Sequence, residues 1–494
     1  MNRQIVAAAV LTTSVLAASA AVDTTNPPPS DVLLIDDLGH VVRVPTNELH
    51  RSLLPPPDIG LRRQTPDPIE GANVPDEILQ RIEQAKEGVT GVRFFPPVPP
   101  RLMPYLASED EFGDTVIRPG PLIDIIPLDP IVQGVKYRLA DNGLRYSLEQ
   151  TLTYVSMSDV MKGDNNLGFY TFDLRAKWAI FDAPSAGTAG WVTTQVETKT
   201  GLGSAGDNQD PKSNLGTVTT PTFIWSSDNN FRVPELAWQE SLRDGEIVVV
   251  AGMVSQQNYL DGNAAAHTGR GEFLNSALVH SQVLPLGQYN FGLNLQWQPT
   301  DEWYGMFGAS AGDATAGEVP WTNLDSEHWS LVWELGYAPK DVLGLGPGIY
   351  RLQPFVAKAD GPTQGGLCFN LQQRLGAHTP FAYFGRFGFG GEEAGTDASA
   401  QIGTGFVMQA PLEHLGLVPR LKNDLLGVAF VWSQPAATTK TVHHENEYVL
   451  ETFYTLQLTP TIKLEPDLQV VWDPAFNPDA GPATVVQLQL NLAW

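Results

Sequence analysis

The chain has 494 residues, 42% of them hydrophobic and only 17% charged, with a formal net charge of −25. That length accommodates one large barrel or roughly two or three ordinary domains, and the 46 Gly and 39 Pro suit a turn-rich all-β chain better than a helical one. The acidic balance argues against a nucleic-acid partner, because a phosphate-binding surface needs Lys and Arg in excess.

The chain opens with "MNRQIVAAAVLTTSVLAASAAVD". Arg3 supplies a basic start, Ile5 to Leu16 an apolar core, and Ala18-Ser19-Ala20 a small-residue cleavage site, so residues 1–20 read as a secretory signal peptide. The competing reading, a membrane anchor, is weaker because the apolar run is too short to span a bilayer. No Cys follows the cleavage site, which speaks against a lipoprotein. Between Pro27 and Pro130 fall 19 of the 39 prolines, in clusters such as "NPPPS", "LLPPPDIG" and "FFPPVPPRLMP". Such clusters neither pair inside a sheet nor continue a helix. Residues 21–130 are therefore expected to form an extended arm with little core. One short helix over 76–87 is predicted in "PDEILQRIEQAKEG", opened by Pro75 and closed by Gly88, with Ile78, Leu79, Ile82 and Ala85 on one face. That face is expected to dock on the main domain or to pair with another chain.

From residue 131 the pattern has period two. "FDLRAKWAI" places Leu174, Ala176, Trp178 and Ile180 on one face and Arg175 and Lys177 on the other. "YNFGLNLQWQP" sets Phe291, Leu293, Leu295 and Trp297 against Asn290, Gly292, Asn294 and Gln296. The last strand, "VVQLQLNLAW", sets Val486, Leu488, Leu490 and Leu492 against Gln487, Gln489 and Asn491. A soluble sandwich alternates because one face is core and one meets water; a transmembrane barrel alternates because one face meets lipid and one lines a lumen. Periodicity alone does not separate them. Aromatics at strand ends (Trp178, Trp297, Trp303, Tyr304, Trp494) fit interfacial girdles. The stretch 131–494 shows no second core or domain break, and after the signal no run is long enough for a helical span; "EIVVVAGMV" is far too short. The predicted fold is all-β: a transmembrane antiparallel β-barrel of about 16 strands (16–18) over residues 131–494, preceded by the Pro-rich arm.

Four segments resemble the carbohydrate-selective porins of the OprB-like family. "ELAWQESLRDGEIVVVAGMVSQQNYLDGNAAAHTGRGEFLNSAL" carries Gly252, the step Tyr259 to Asp261 and Phe273 to Asn275. "GASAGDATA" carries Asp313, and "WELGYAPKDVLGLGPGIYRLQPFV" the Glu-x-Gly-Tyr and Pro-Gly-x-Tyr-Arg steps. "ENEYVLETFYTLQLTPTIKLEPDLQVVWDP" carries Glu447, Glu451, Tyr454, Pro460, Pro466, Asp467, Gln469 and Pro474 in order. The resemblance covers about residues 135–494. Met253 departs from it, standing where the family often has a basic residue. A C-terminal strand ending in an aromatic also resembles the signal read by outer-membrane assembly machinery. The resemblance implies a bacterial outer-membrane porin through which sugars or similar small polar solutes diffuse, with outer-membrane lipid around it, as a monomer or a homotrimer.

Selectivity in a pore comes from radius, hydrogen-bonding groups and fixed charge, not from bond chemistry. Parity nominates Arg175, Lys177, Glu235, Gln239, Asn294, Gln296, Arg386, Gln487 and Gln489 as lumen residues, and the family-like segments add Glu334 and Arg351. For each, the plain alternative is a merely solvated side chain. No catalytic constellation, cofactor or metal is expected. His443 and His444 in "TVHHENE" are adjacent on a strand and point to opposite faces. "GLGSAGDNQD" and "FGFGGEEAGTD" lack the Lys-Ser/Thr ending of a phosphate loop, and "GDNQDPKSN" and "EEAGTDAS" lack EF-hand spacing. Cys368 is alone and reads as a buried small side chain. Two other readings stay open: a structural barrel whose arm contacts the cell wall or a partner, and a soluble β-protein in which Glu447 and Glu451 pair for acid/base work.

Overall fold

The computed structural model describes residues 31–35, 41–45 and 139, and residues 142–493 except 184–186, 204–208, 225–229, 244, 301, 313–323, 377–378, 419–420, 422–423, 437–445, 460 and 478–479. The signal segment, the helix expected over 76–87, His443, His444, Asp313 and Trp494 lie outside the described residues. The chain divides into two compact units. In the first, β1 (Asp31–Ile35) and β2 (Val41–Pro45) pair antiparallel, Leu33 opposite Arg43. From its sequence the arm over 21–130 is expected to be extended and interrupted by one short helix over 76–87. This hairpin occupies a stretch where Val, Leu and Ile run together with Pro only at the end, which is where a strand tolerates it.

The second unit contains the barrel. Its strands are β3 (Leu144–Met157), β4 (Asn166–Ala183), β5 (Thr188–Leu202), β6 (Asn230–Leu242), β7 (Ile247–Val254), β8 (Asn290–Trp297), β9 (Trp303–Ala311) and β10 (His328–Tyr337). There follow β11 (Gly348–Ala359), β12 (Gln364–Arg374), β13 (Phe381–Gly390), β14 (Ala398–Gln409), β15 (Leu425–Pro435), β16 (Glu447–Thr459), β17 (Ile462–Trp472) and β18 (Ala483–Ala493). Each pairs antiparallel with its neighbours in sequence. The last pairs with the first, Leu490 opposite Leu152, so sixteen strands close without an edge.

Burial along the strands is inverted relative to a soluble protein. In β8, Phe291, Leu293, Leu295 and Trp297 are exposed while Asn294 and Gln296 are buried. In β18, Leu488 is 46% exposed and Gln489 0%. An apolar outer face costs free energy in water and none in lipid, so period two with this sign marks a membrane barrel. Trp178 is exposed within β4 rather than at its end, while Trp297 and Trp303 stand exposed at strand ends, as a girdle requires. Tyr304 does not join them. It lies opposite Gly336, its ring occupies the space a Cβ would take there, and the side chain is buried inside the barrel.

Several connections are only a few residues long, such as those between β4 and β5 and between β6 and β7. Two others at the opposite end are long, 203–229 and 255–289, and parts of both fold into the lumen. Short helices punctuate the connections: α1 (Pro211–Leu215), α2 (Ser276–Val279) and α3 (Pro411–His414). Asp210, in a segment weighed above as a cation loop, instead caps α1, accepting from Lys212 N at 2.9 Å and Ser213 Oγ at 2.6 Å. The apolar core therefore lies inside the barrel. Phe273 of the second infolded segment packs edge-on to Phe453 of β16 at 4.7 Å and against Phe384 of β13 at 5.2 Å.

Candidate functional site

The lumen is built from polar strand residues that hold the two infolded segments. Asp261, fully buried with φ of 61°, is the hub of the second. Arg386 Nε donates to its carboxylate at 3.2 and 3.1 Å, Asn370 Nδ2 donates at 2.6 Å, and Ser281 N donates at 2.6 Å. Arg386 also donates to the carbonyls of Asp261 and Ala266 at 2.8 Å each and to that of Leu278. A left-handed residue with its carboxylate and carbonyl both engaged fixes the reversal of the chain at this point. Glu334 accepts from Asp261 N at 3.2 Å, from Tyr304 Oη at 2.9 Å and from Gln353 Nε2 at 2.7 Å. Arg351 Nε donates to Tyr304 Oη at 2.9 Å and lies 3.5 Å from Glu334.

On the neighbouring walls, Glu235 accepts from Tyr259 Oη at 2.8 Å and from Asn258 Nδ2 at 3.2 Å, while Asn294 Nδ2 donates to Gln256 at 3.4 Å. Across the barrel, Glu451 accepts from Leu274 N at 2.5 Å and Asn275 N at 3.1 Å. Glu447 accepts from Val218 N at 2.8 Å, Thr219 N at 3.1 Å and Thr219 Oγ1 at 2.6 Å. Gln469 and Gln487 both donate to the Pro221 carbonyl, at 2.7 and 2.8 Å, and Gln489 donates to the Gly269 carbonyl at 3.1 Å. The two glutamates weighed as an acid/base pair are thus anchors: backbone amides of the infolded segments occupy their oxygens. Buried His267 and His280 meet edge to face at 4.8 Å within the second segment. Burial holds His267 well below the usual imidazole range. Burial, with Arg386 adding to it and Asp261 opposing, brings His280 down to about 4.

The residues nominated from the sequence therefore separate into two groups. Glu235, Asn294, Glu334, Arg351 and Arg386 are buried and engaged with the infolded segments or their supports. Gln239 and Gln296 are buried inward as parity predicted. Arg175 and Lys177 are only half-buried, on the inward face of β4. The same wall carries residues that were not nominated. Asp173 accepts from Gln195 Nε2 at 3.1 and 3.0 Å and from Arg270 at 3.2 Å, and Arg175 stands 3.7 Å from it. Arg270 also pairs with Glu149 at 3.0 Å, and Lys177 Nζ sits 4.1 Å from the centre of the Trp191 ring. Parity along β3 and β5 would have found Glu149 and Trp191; Arg270 has no such signal because it lies on a loop. Among the described residues, no group of three or more His, Cys, Asp or Glu is placed to hold a metal ion.

This architecture has known counterparts. The sequence profile of the carbohydrate-selective porin, OprB family matches residues 188–366 and 353–493. Porin AaxA of Chlamydia abortus is 24% identical over 330 residues, covering 64% of this chain and 68% of that protein. Porin AaxA of Chlamydia felis is 24% identical over 334 residues, covering 64% and 69%. The high-pH structure of Pseudomonas putida OprB superposes with a TM-score of 0.61 at 15% identity, over 76% of this chain and 99% of that one, and so shares the fold. With the profile matching more than half of its length, the chain belongs to the carbohydrate-selective porin, OprB family, and is an outer-membrane porin.

Proposed function

We propose that this porin passes sugars or similar small polar solutes by passive, carbohydrate-selective diffusion. The observation that carries the reading is the division of the lumen. One side is packed with infolded chain, and the β3–β5 wall keeps Arg145, Arg175, Lys177 and Trp191 half-buried. A neutral sugar needs hydrogen-bonding groups for its hydroxyls and a flat aromatic face for its C–H surface, without a tight site that would hold it. The buried members of the nominated set then shape the passage, and the half-buried ones meet the solute. Single-channel recording of the refolded protein in a planar bilayer, titrated with mono- and disaccharides, tests this. Open steps that sugars block saturably are expected. Steps indifferent to every sugar would reduce the protein to a general porin.

The dense hydrogen bonding of 209–224 and 255–289 to the strands favours a second reading, a closed structural barrel. In that case the folded, inserted protein shows no open steps. Export by a signal peptide over residues 1–20, an arm over 21–130 that contacts cell wall or partner, and assembly as monomer or homotrimer complete the proposal. N-terminal sequencing of the mature protein, envelope attachment after deletion of 21–130 and crosslinking address them in turn.

A further inference from the structure

Two connections at the same end of the barrel carry the same short motif. The β10–β11 connection, 338–347, contains Leu343-Gly344-Leu345, and the β14–β15 connection, 410–424, contains Leu415-Gly416-Leu417. Each motif is followed by a proline, Pro347 or Pro419, and no charged residue stands between its first leucine and that proline. Both connections leave the barrel on the rim that also carries the short β4–β5 and β6–β7 turns.

Both tips hold their leucines in the open. Leu343 is 96% exposed, Leu415 66% and Leu417 67%, and Leu345 is exposed as well. Gly344 and Gly416 have φ of 78° and 71°, and a Cβ on either would meet nothing beyond its chain neighbours within 4 Å. The tips therefore project clear of the chain around them. The first is closed by hydrogen bonds. The Asp341 carboxylate accepts from Gly344 N at 3.0 Å and Gly346 N at 2.7 Å, and Val342 N donates to the Gly346 carbonyl at 3.1 Å. Leu343 itself takes a φ of 55°, a left-handed conformation that disfavours any residue with a Cβ. A closed turn that presents an apolar side chain at a conformational cost points to a use for that side chain. In the second tip, Leu417 N and Val418 N both donate to the Leu412 carbonyl, at 2.9 and 3.1 Å, and close the turn after α3.

Position says what covers them. Trp333 and Leu335 are exposed on the outer face of β10, and Tyr337, which ends that strand, stacks on Trp303 at 4.5 Å in the aromatic girdle. The connection with the first tip begins at the next residue, so the apolar outer surface of the wall continues through the girdle into it. The two tips are four strands apart, roughly 20 Å along the rim at the usual strand spacing. A compact protein partner favours one contiguous apolar patch. A lipid leaflet surrounds the whole rim and meets both tips.

We propose that Leu343-Gly344-Leu345 and Leu415-Gly416-Leu417 are lipid anchors that dip into the boundary between headgroups and acyl chains and fix the height of the barrel in the membrane. The tips act on how the barrel sits in lipid, whatever solute it passes.

The test places a thiol-reactive fluorophore on Leu343→Cys or Leu417→Cys in the full chain, refolded into dioleoylphosphatidylcholine vesicles. Arg243→Cys, on an exposed turn of the same rim, is the control. Cys368 is buried, and the unsubstituted chain checks that it stays unlabelled. Labels at 343 and 417 are expected to be quenched by lipid brominated near the top of its acyl chains and shielded from aqueous iodide. The label at 243 should show the reverse. Iodide quenching at 343 and 417 as strong as at 243 would overturn the anchors. Shielding without bromolipid quenching, lost on dilution to one copy per vesicle, would overturn them in favour of contact between copies. Leu343→Gly adds a second readout. Glycine suits the left-handed backbone, so a merely structural position keeps or gains resistance to urea in vesicles, whereas an anchor loses it. Single-channel steps should be the same in every variant, so failure of the anchors and failure of the porin reading are distinguishable.

Discussion

Asp261 and Arg386 show how much rests on a single contact in this lumen. Both are buried, and the guanidinium ties three carbonyls and a carboxylate of one infolded segment to β13. Removing one partner of such a pair strands the other charge without solvent. Arg386→Ala is therefore expected to cost about 3–5 kcal/mol in the anchoring of 255–289. It should appear as larger, noisier channels and new protease cleavage within that segment. Unchanged conductance and cleavage would show that Arg386 is dispensable to the packing. His280 offers a pH probe of the same segment. Its folded value of about 4 lies below the ordinary 6.5, so the unfolded chain takes up the proton first as pH falls. The stability contributed by the neutral ring is complete above about 6.5, declines as pH drops towards 4 and is lost below that. The size of the effect is about 3 kcal/mol. Hydrogen exchange of 255–289 should accelerate over that window in the wild type, after correction for intrinsic rates, and much less in His280→Gln. Equal slopes in the two proteins would remove His280 as the cause. None of these partners is near in sequence: Arg386 lies 125 positions from Asp261. Parity identified Arg386 as inward-facing, and nothing local named what it would hold.

At the scale of elements, β18 carries the clearest message in the chain. Its even residues face lipid and its odd residues face inward, and the register with β3 follows from closure. Leu488→Arg puts a charge on the lipid face, at an expected cost of about 2–4 kcal/mol if the site lies near the bilayer midplane. Urea titration in lipid vesicles measures it; a loss of only a few tenths would place Leu488 at the interface. The faces of β4, β8 and β18 were legible in the sequence because a residue's parity on a strand depends only on the residue itself. Tyr304 was misread as girdle for the converse reason. Its inward turn depends on Gly336, on a different strand, vacating the space for its ring.

The whole molecule combines a rigid wall with chain that fills it. The inner surface is polar enough to be wetted, yet 209–224 and 255–289 convert much of it into a packed core held by Glu447, Glu451, Asn370 and Arg386. Replacing 255–289 by a short Gly-containing turn should leave a barrel that still inserts, since the strand ladder does not run through that segment. Conductance should rise several-fold, because the open area of a sixteen-stranded barrel is water-filled when nothing plugs it. Saturable block by sugar should vanish with it. A shortened protein of unchanged conductance would show that the constriction lies elsewhere, with 209–224 as the next segment to remove.

The sequence by itself determined the class of the molecule. Alternation of period two, aromatic strand ends and the absence of any long apolar run specify strands with one lipid face and one polar face, and each of these is a property of local residues. The four ordered segments pointed to the family for the same reason, being short stretches legible one at a time. Only the tertiary structure decided what the polar face is for. Whether a lumen glutamate meets solute or clamps a backbone amide depends on which loop folds inward to reach it. That placement is set by contacts between residues far apart in the chain, such as Gln469 with Pro221 at a separation of 248, which no local pattern encodes. On β4, Arg175 and Lys177 stay half-buried, a state that their parity alone does not separate from the full burial of Arg386.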